Sequence, residues 1–359
     1  MTSIDYLIVG QGLAGTLLAH YLLKENCTIK IIDPHFAGSA SKVAAGIINP
    51  ITGRRVVKSW KIDTLIPFAK QCYQEIEAKL GITIFQECNI LRVLKNVKDE
   101  NLWFSKTAYY DLAAYLVEEP ETGAYAEQLK AVFSFGEIKQ SAQVDVKLLM
   151  ETYRNYFLAA DLLVSARFDH NQLVQKANTI QYQGWEAKKV IFCEGHQARF
   201  NPYFDFIPFE AAKGEMLIVH IPNSNFEKIL KHGVFIVPLK NKDHYWIGAT
   251  YEWEFEDDAT TQTAKEELLE RLEKVLKLPF EVVAHYAAVR PTVKDRRPFV
   301  GLHPRLPHLG FFNGLGTKGT SLSPFWAKQF VDFLIHNIAL PEVVGLERCY
   351  SDTVEEDKL

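Results

Sequence analysis

The chain has 359 residues, 48% of them hydrophobic and 23% charged, with a formal charge of −4. Those proportions suit two folded domains, or one large one, and exclude disorder, low complexity and collagen-like repeats. The small acidic surplus argues against a general nucleic-acid binder, and five scattered cysteines without C-x-x-C spacing exclude a disulfide scaffold or zinc finger.

The first predicted element is a buried strand over Ile4–Val9, a short apolar run rich in β-favouring residues. GQGLAG follows and places Gly10, Gly12 and Gly15 on the G-x-G-x-x-G spacing. Leu13, Leu17, Leu18, Tyr21 and Leu22 then mark a helix, and a second strand over Thr28–Ile32 ends at Asp33. Gly10 permits a tight turn, Gly12 lets a pyrophosphate approach the backbone, and Gly15 lets the helix pack closely on the sheet. The helix start at Leu13 and Ala14 offers unpaired N–H groups and a partial positive charge to phosphates. Asp33 has the position to accept hydrogen bonds from a ribose hydroxyl. Strand, turn, helix, strand and acid in that order predict a dinucleotide site. A plain glycine turn in an ordinary βα unit would leave Asp33 unexplained. The motif does not separate NAD from FAD.

Residues 34–59 read as loop, with small residues at Ala44, Ala45 and Gly46 where backbone can approach a ligand. Lys61–Leu80 predicts an amphipathic helix closed by Gly81. Residues 82–94 alternate as strands, and 99–142 carry no clear pattern. A helix is expected over Lys147–Ala159, a short strand at Leu162–Val164, a hairpin over 166–184, and an apolar strand at Lys189–Cys193 before Glu194, Gly195 and His196. Residues 214–251 are strand-rich. Thr263–Leu278 is an amphipathic helix, strands follow near 281–290, 298–301 and Gly310–Phe312, and a terminal helix spans Thr320–Ile335. This order predicts an α/β fold with a Rossmann-like nucleotide domain interleaved with a domain built on a mainly antiparallel sheet. The expected segments are 1–80, 143–205 and 290–359 for the nucleotide domain, and 81–142 and 206–289 for the other. No basic stretch with a long apolar run opens the chain, and no apolar run approaches the ~20 residues of a membrane helix. A cytoplasmic protein without a membrane partner is expected.

Two C-terminal segments carry chemistry. In AAVRPTVKDRRPFVG (287–301), Arg290 ends a strand before a proline, and its planar fork of donors suits bidentate capture of a carboxylate. A surface ion pair with Asp295 is the other reading. GLGTKGTSLSP (314–324) is a second glycine-rich loop that opens a helix, with Gly314, Gly316, Thr317, Lys318, Gly319 and Thr320. Two such loops suit a long ligand held at both ends. A flavin fits, because the charge that gathers on its pyrimidine edge on reduction would meet a helix dipole and Lys318. Lys318 as a solvated helix-start residue is the alternative. His196 and His303 receive no catalytic role, and no metal site is suggested.

The pieces VGQGLAG…IIDP (9–34), SKVAAGI (41–47), KVIFCEGH (189–196), FIVPL…WIGATY (235–251), VRPTVKDRRPFVG (289–301) and GLGTKGTSLSP (314–324) run end to end in one order. In that order they resemble the D-amino-acid oxidase superfamily of FAD-dependent oxidoreductases, of the glycine oxidase and sarcosine oxidase type. GIINPITG (46–53) and GLGTKG (314–319) also resemble the oxidase half of the bifunctional tRNA 5-methylaminomethyl-2-thiouridine biosynthesis enzyme, without room for its methyltransferase half. The resemblance implies an FAD-binding domain and an antiparallel-sheet substrate domain over the flavin's face. It implies Arg290 as the substrate-carboxylate clamp, Ala45, Gly46 and Gly195 by the cofactor, and Lys318 at the flavin's pyrimidine edge. Two departures stand out: Phe235 where glycine oxidase-like enzymes often have tyrosine, and CEG where AxG is commoner. Sarcosine oxidase-like enzymes attach flavin through a cysteine in the C-terminal third, and here the only cysteine after Cys193 is Cys349, beyond the terminal helix, so the resemblance implies non-covalent FAD.

The expected activity is oxidation of a carboxylate-bearing amine or amino acid by hydride transfer to flavin N5. The resulting imine hydrolyses, and dioxygen or another acceptor reoxidises the flavin. The expected partner is a small-molecule amine. The alternative is a tRNA-modifying oxidase that removes a carboxymethyl group from a wobble uridine's aminomethyl substituent. It would use Arg54, Arg55, Lys58 and Lys61 on phosphates.

Overall fold

The computed structural model describes residues 1–349 apart from Ala37 and Ala124. The chain divides into two compact units, each assembled from separated segments. Unit 1 comprises Met1–Lys42, Val146–Ala212 and Val289–Leu359, and unit 2 comprises Val43–Asp145 and Lys213–Ala288.

Unit 1 is built on an eight-stranded sheet. Thr2–Val9 runs parallel to Ile29–Ile32 on one side and to Trp185–Phe192 on the other. Leu163–Val164 extends the sheet beyond Ile29–Ile32, and Leu309–Asn313 lies parallel to the end of Trp185–Phe192. Leu7, Ile8, Val9, Ile31 and Phe192 are all buried, as continuous apolar strands of a parallel sheet must be. Helix Leu13–Lys24 is buried from Leu13 to Leu22 and packs against the terminal helix Gly319–His336. The strand and helices of the dinucleotide motif therefore form as the hydrophobic pattern predicts. The α/β class with a Rossmann-like domain holds.

Unit 2 carries another eight-stranded sheet, in the order Glu281–Arg290, Ala212–His220, His244–Gly248, Val234–Pro238, Ile229–His232, Ile90–Leu94, Ser134–Ile138, Leu116–Val117. Ile229–His232 and Ile90–Leu94 pair in parallel, between antiparallel neighbours. One face presents Leu91, Val93, Leu217, Val219, Leu230, Ile236 and Ile247 to Leu268 and Leu272 of helix Gln262–Glu273. The two-residue period sends Arg92, Lys231, Phe235 and Trp246 to the other face. Thr261 caps the helix by accepting from the Ala264 N–H. Glu215, buried in the sheet, accepts from the Thr261 N–H and hydroxyl, both at 2.9 Å, and lies 2.8 Å from His285 Nε2. Lys213 Nζ lies 3.6 Å from its Oε1, so the buried carboxylate has a cation beside it as well as these donors.

Residues 43–80 belong to unit 2, not to the expected nucleotide segment 1–80. The reason is strand pairing. Ile47–Ile48 lies beside Ala142–Val144, which also pairs with Phe85–Glu87. Residues 206–212 fall in unit 1, and the last residues of the expected 290–359 segment lie outside those described. The unpatterned stretch 99–142 is ordered into helix Val97–Thr107 and the strands Leu116–Val117 and Ser134–Ile138. Trp103, fully buried, anchors that helix and donates to the Val117 carbonyl at 2.9 Å. Among the described residues no helix is long and apolar enough to cross a membrane, and no cluster of His, Cys, Asp or Glu is arranged to hold a metal.

Candidate active site

The two glycine-rich loops, distant in sequence, meet in unit 1. Gly12 caps helix Leu13–Lys24 and Lys318 caps helix Gly319–His336. Leu13 Cδ2 lies 3.3 Å from where a Cβ on Gly319 would stand. Gly15 is held tightly: an added Cβ would fall 1.9 Å from the Gly10 carbonyl oxygen and 3.3 Å from Cys193 Cβ. Burial pushes the Cys193 thiol well up, with Glu194 adding to the effect.

At the first helix start the Leu13 N–H donates to Ser41 Oγ at 3.0 Å. The N–H groups of the buried Ala14 and Gly15 have no acceptor among the described residues. No acidic side chain sits in this first turn. Buried unpaired N–H groups are costly, and at a helix start they face the positive end of the dipole. The arrangement is a cradle for an anion.

Asp33 closes the loop from the side. Its Oδ2 accepts from the Gln11 N–H at 2.9 Å, and its Oδ1 from the His35 N–H at 2.8 Å and from Arg154 Nη1 at 2.9 Å. Arg154 also donates to Gln11 Oε1 at 3.2 Å and Ser165 Oγ at 2.7 Å. An ionised carboxylate has about four acceptor positions, so Asp33 keeps one for a further donor. Neither Arg154 nor Ser41 was singled out from the sequence. Arg154 had a signal: it interrupts the apolar stripe Leu149, Met150, Tyr153, Phe157 of helix Val146–Ala159. Ser41 had none, because its role depends on a contact across 28 residues.

The second loop is tied to Gly195. Asn313 Nδ2 donates to the Gly195 carbonyl at 2.9 Å while Asn313 Oδ1 accepts from the Gly314 N–H at 2.8 Å. The Gly316 N–H donates to the Pro291 carbonyl at 3.2 Å. Beside it the buried Thr292 Oγ1 has no hydrogen-bond partner among the described residues and lies 3.6 Å from where a Cβ on Gly316 would stand. Arg290 is half-buried at the end of Glu281–Arg290, and its carbonyl accepts from the Thr292 N–H at 2.8 Å. Asp295 accepts from the Arg297 N–H at 3.1 Å and lies 3.6 Å from Arg348 Nη2. Thr317 is exposed, Thr320 buried, and Lys318 half-buried. Burial, then the nearby Arg296, pushes the Lys318 ammonium below the usual lysine range.

Ala45 and Gly46 lie in unit 2, apart from the other predicted residues in the chain's division. The crowding at Gly46 is with its own unit, since an added Cβ would fall 1.8 Å from the Val144 carbonyl oxygen. The Val144 N–H donates to the Gly46 carbonyl at 2.9 Å, and Gln143 Nε2 to that of Ala45 at 3.4 Å. Of the basic cluster, Arg54, Arg55 and Lys61 are exposed, while Lys58 pairs with Asp63 at 2.7 Å.

Comparison with known proteins adds four findings. A family model described as FAD dependent oxidoreductase matches residues 5–333. Glycine oxidase from Bacillus subtilis (strain 168) is 23% identical, with 92% of this chain and 93% of that protein aligned. Among solved structures, glycine oxidase from Geobacillus kaustophilus superposes with a TM-score of 0.78 at 19% identity, over 95% of this chain and 96% of that one. Iminodiacetate oxidase from Chelativorans sp. BNC1 superposes with a TM-score of 0.77 at 18% identity, over 95% and 98%.

Proposed function

This chain belongs to the FAD-dependent oxidoreductase family, and from that premise we propose that it oxidises a small amine or amino acid that carries a carboxylate. The observation that carries the reading is alignment with a glycine oxidase over 92% of the chain, with Arg290 at the end of strand Glu281–Arg290. The residues present fit FAD. The unpaired Ala14 and Gly15 N–H groups suit a pyrophosphate, Asp33 retains an acceptor position for a ribose hydroxyl, and the orphaned Thr292 hydroxyl beside Gly316 awaits a polar partner.

FAD, when bound, supplies the two-electron acceptor. Gly10, Gly12, Leu13, Ala14, Gly15 and Asp33 would hold its nucleotide end, and Gly195, Gly314, Gly316, Thr317, Gly319 and Thr320 the other. Lys318 would place a cation where negative charge develops. Arg290 would grip the substrate carboxylate through paired N–H donors and hold the amine in one orientation. Ala45 and Gly46 are proposed cofactor neighbours on the family resemblance. Cys193 and Cys349 both sit in the unit 1 core, which supports non-covalent FAD.

The test is anaerobic mixing of the yellow protein with glycine, sarcosine, proline and several D-amino acids. Loss of visible flavin absorbance with a carboxylated amine is expected. Arg290→Ala should then raise KM at least tenfold, and unchanged kinetics would remove Arg290 from the role. A second reading, oxidation of a carboxymethylaminomethyl group on tRNA, draws on the exposed Arg54, Arg55 and Lys61. It gains weight if the protein stays yellow with every small amine and is bleached by tRNA in a steeply salt-dependent way.

A further inference from the structure

Unit 2 holds a pair of cations that the proposed chemistry leaves unused. Arg92 on Ile90–Leu94 and Lys231 on Ile229–His232 are direct cross-strand partners in the parallel pair. Both point away from the apolar face that packs on helix Gln262–Glu273. Both are half-buried. On its other side Lys231 is the cross-strand partner of Phe235, and its ammonium lies 5.1 Å from that ring's centroid. Arg92 Nη1 donates to the Gly53 carbonyl at 3.0 Å, which anchors the guanidinium and leaves its other N–H groups for another acceptor. Among the described residues no carboxylate forms an ion pair with either. The acid that Arg92 senses, Asp99, accepts from the Lys95 N–H at 3.3 Å.

Like charges on directly opposed strand positions destabilise a sheet, and half-burial makes the repulsion worse. A fold that keeps such a pair without an acid between its members violates a local rule, and such violations cluster at functional sites. Burial, and Arg92 beside it, push the Lys231 ammonium down to about 8.

We infer that Arg92 and Lys231 form an oxyanion site on unit 2, beside the Phe235 ring, that binds a small carboxylate anion. A planar carboxylate suits the pair: it accepts from the guanidinium fork on one edge and from the ammonium on the other. The anion site does not rest on the amine-oxidase reading.

In the test, malonate and inorganic phosphate are titrated into the purified protein and into Lys231→Met, Arg92→Lys and Lys242→Ala, with thermal melting and calorimetry as readouts. Malonate should stabilise the parent protein and Lys242→Ala alike, and its affinity should fall at least tenfold in Lys231→Met. Arg92→Lys keeps the charge but loses the fork, and should weaken malonate severalfold. Without ligand, Lys231→Met should melt no lower than the parent. Its pH profile should also change. Between pH 8 and 10.5 the unfolded parent binds more protons at Lys231 than the folded one, so this group's contribution to stability rises with pH across that window and is absent in the variant. Equal malonate affinity in parent and Lys231→Met overturns the site, as does binding of phosphate without malonate.

Discussion

The two glycine-rich loops of unit 1 look alike in sequence, yet glycine is required in them for different reasons. At Gly15 in the first, contact decides, while Gly10 before it also has φ +101°. A methyl on Gly15 would meet the Gly10 carbonyl at 1.9 Å, and Asp33 and Arg154 lock the loop through Gln11. In the second, backbone conformation decides. Gly316 has φ +54°, and the nearest atom to an added methyl is Thr292 Oγ1 at 3.6 Å. The first loop is a packed joint between helix and sheet. The second is an open turn that leaves an unpaired hydroxyl beside it. A G-x-G spacing therefore reports that side chains are excluded, and not whether packing or torsion excludes them.

Three substitutions break or sharpen that contrast. Gly15→Ala forces backbone apart and should cost about 3 kcal/mol or more. It should appear as a large loss of melting temperature and of flavin content together, and near-native melting would show that the first loop is not a packed joint. Arg154→Met leaves Asp33 buried with only its backbone donors, since the pair's side chains are 8% and 16% exposed. Breaking a buried pair by removing one partner costs about 3 kcal/mol, at the low end here because two N–H donors remain. Denaturant unfolding should show that loss, together with weaker FAD retention. Gly316→Ala pays only the left-handed backbone penalty, about 1–2 kcal/mol. Its melting should shift by a few degrees while FAD still binds. A loss as large as that of Gly15→Ala would erase the difference between the loops.

Much of the fold was legible because its signals are local. The run Ile4–Val9, the glycine spacing and Asp33 lie within one βαβ unit, where hydrophobic period and turn chemistry act over a few residues. The helices expected at Lys61–Leu80 and Lys147–Ala159 appear as Ile62–Leu80 and Val146–Ala159 for the same reason. Residues 99–142 stayed opaque because helix Val97–Thr107 buries little beyond Trp103 and Thr107, so no apolar stripe marks it. Segment 43–80 groups with unit 2, where Ile47–Ile48 pairs with residues 142–144 and these in turn with 85–87, a partnership that no local pattern announces.

By itself, then, the sequence determined the nucleotide-binding motif, the α/β class and the presence of two glycine loops, since each depends on short-range spacing. The tertiary structure alone decided that the loops adjoin through Leu13 and Gly319, that Arg154 holds Asp33, and that Arg92 stands beside Lys231. Those pairings join residues 121 to 306 positions or so apart in two cases and opposite strands in the third, and strand register and helix packing, which no local pattern encodes, bring them together.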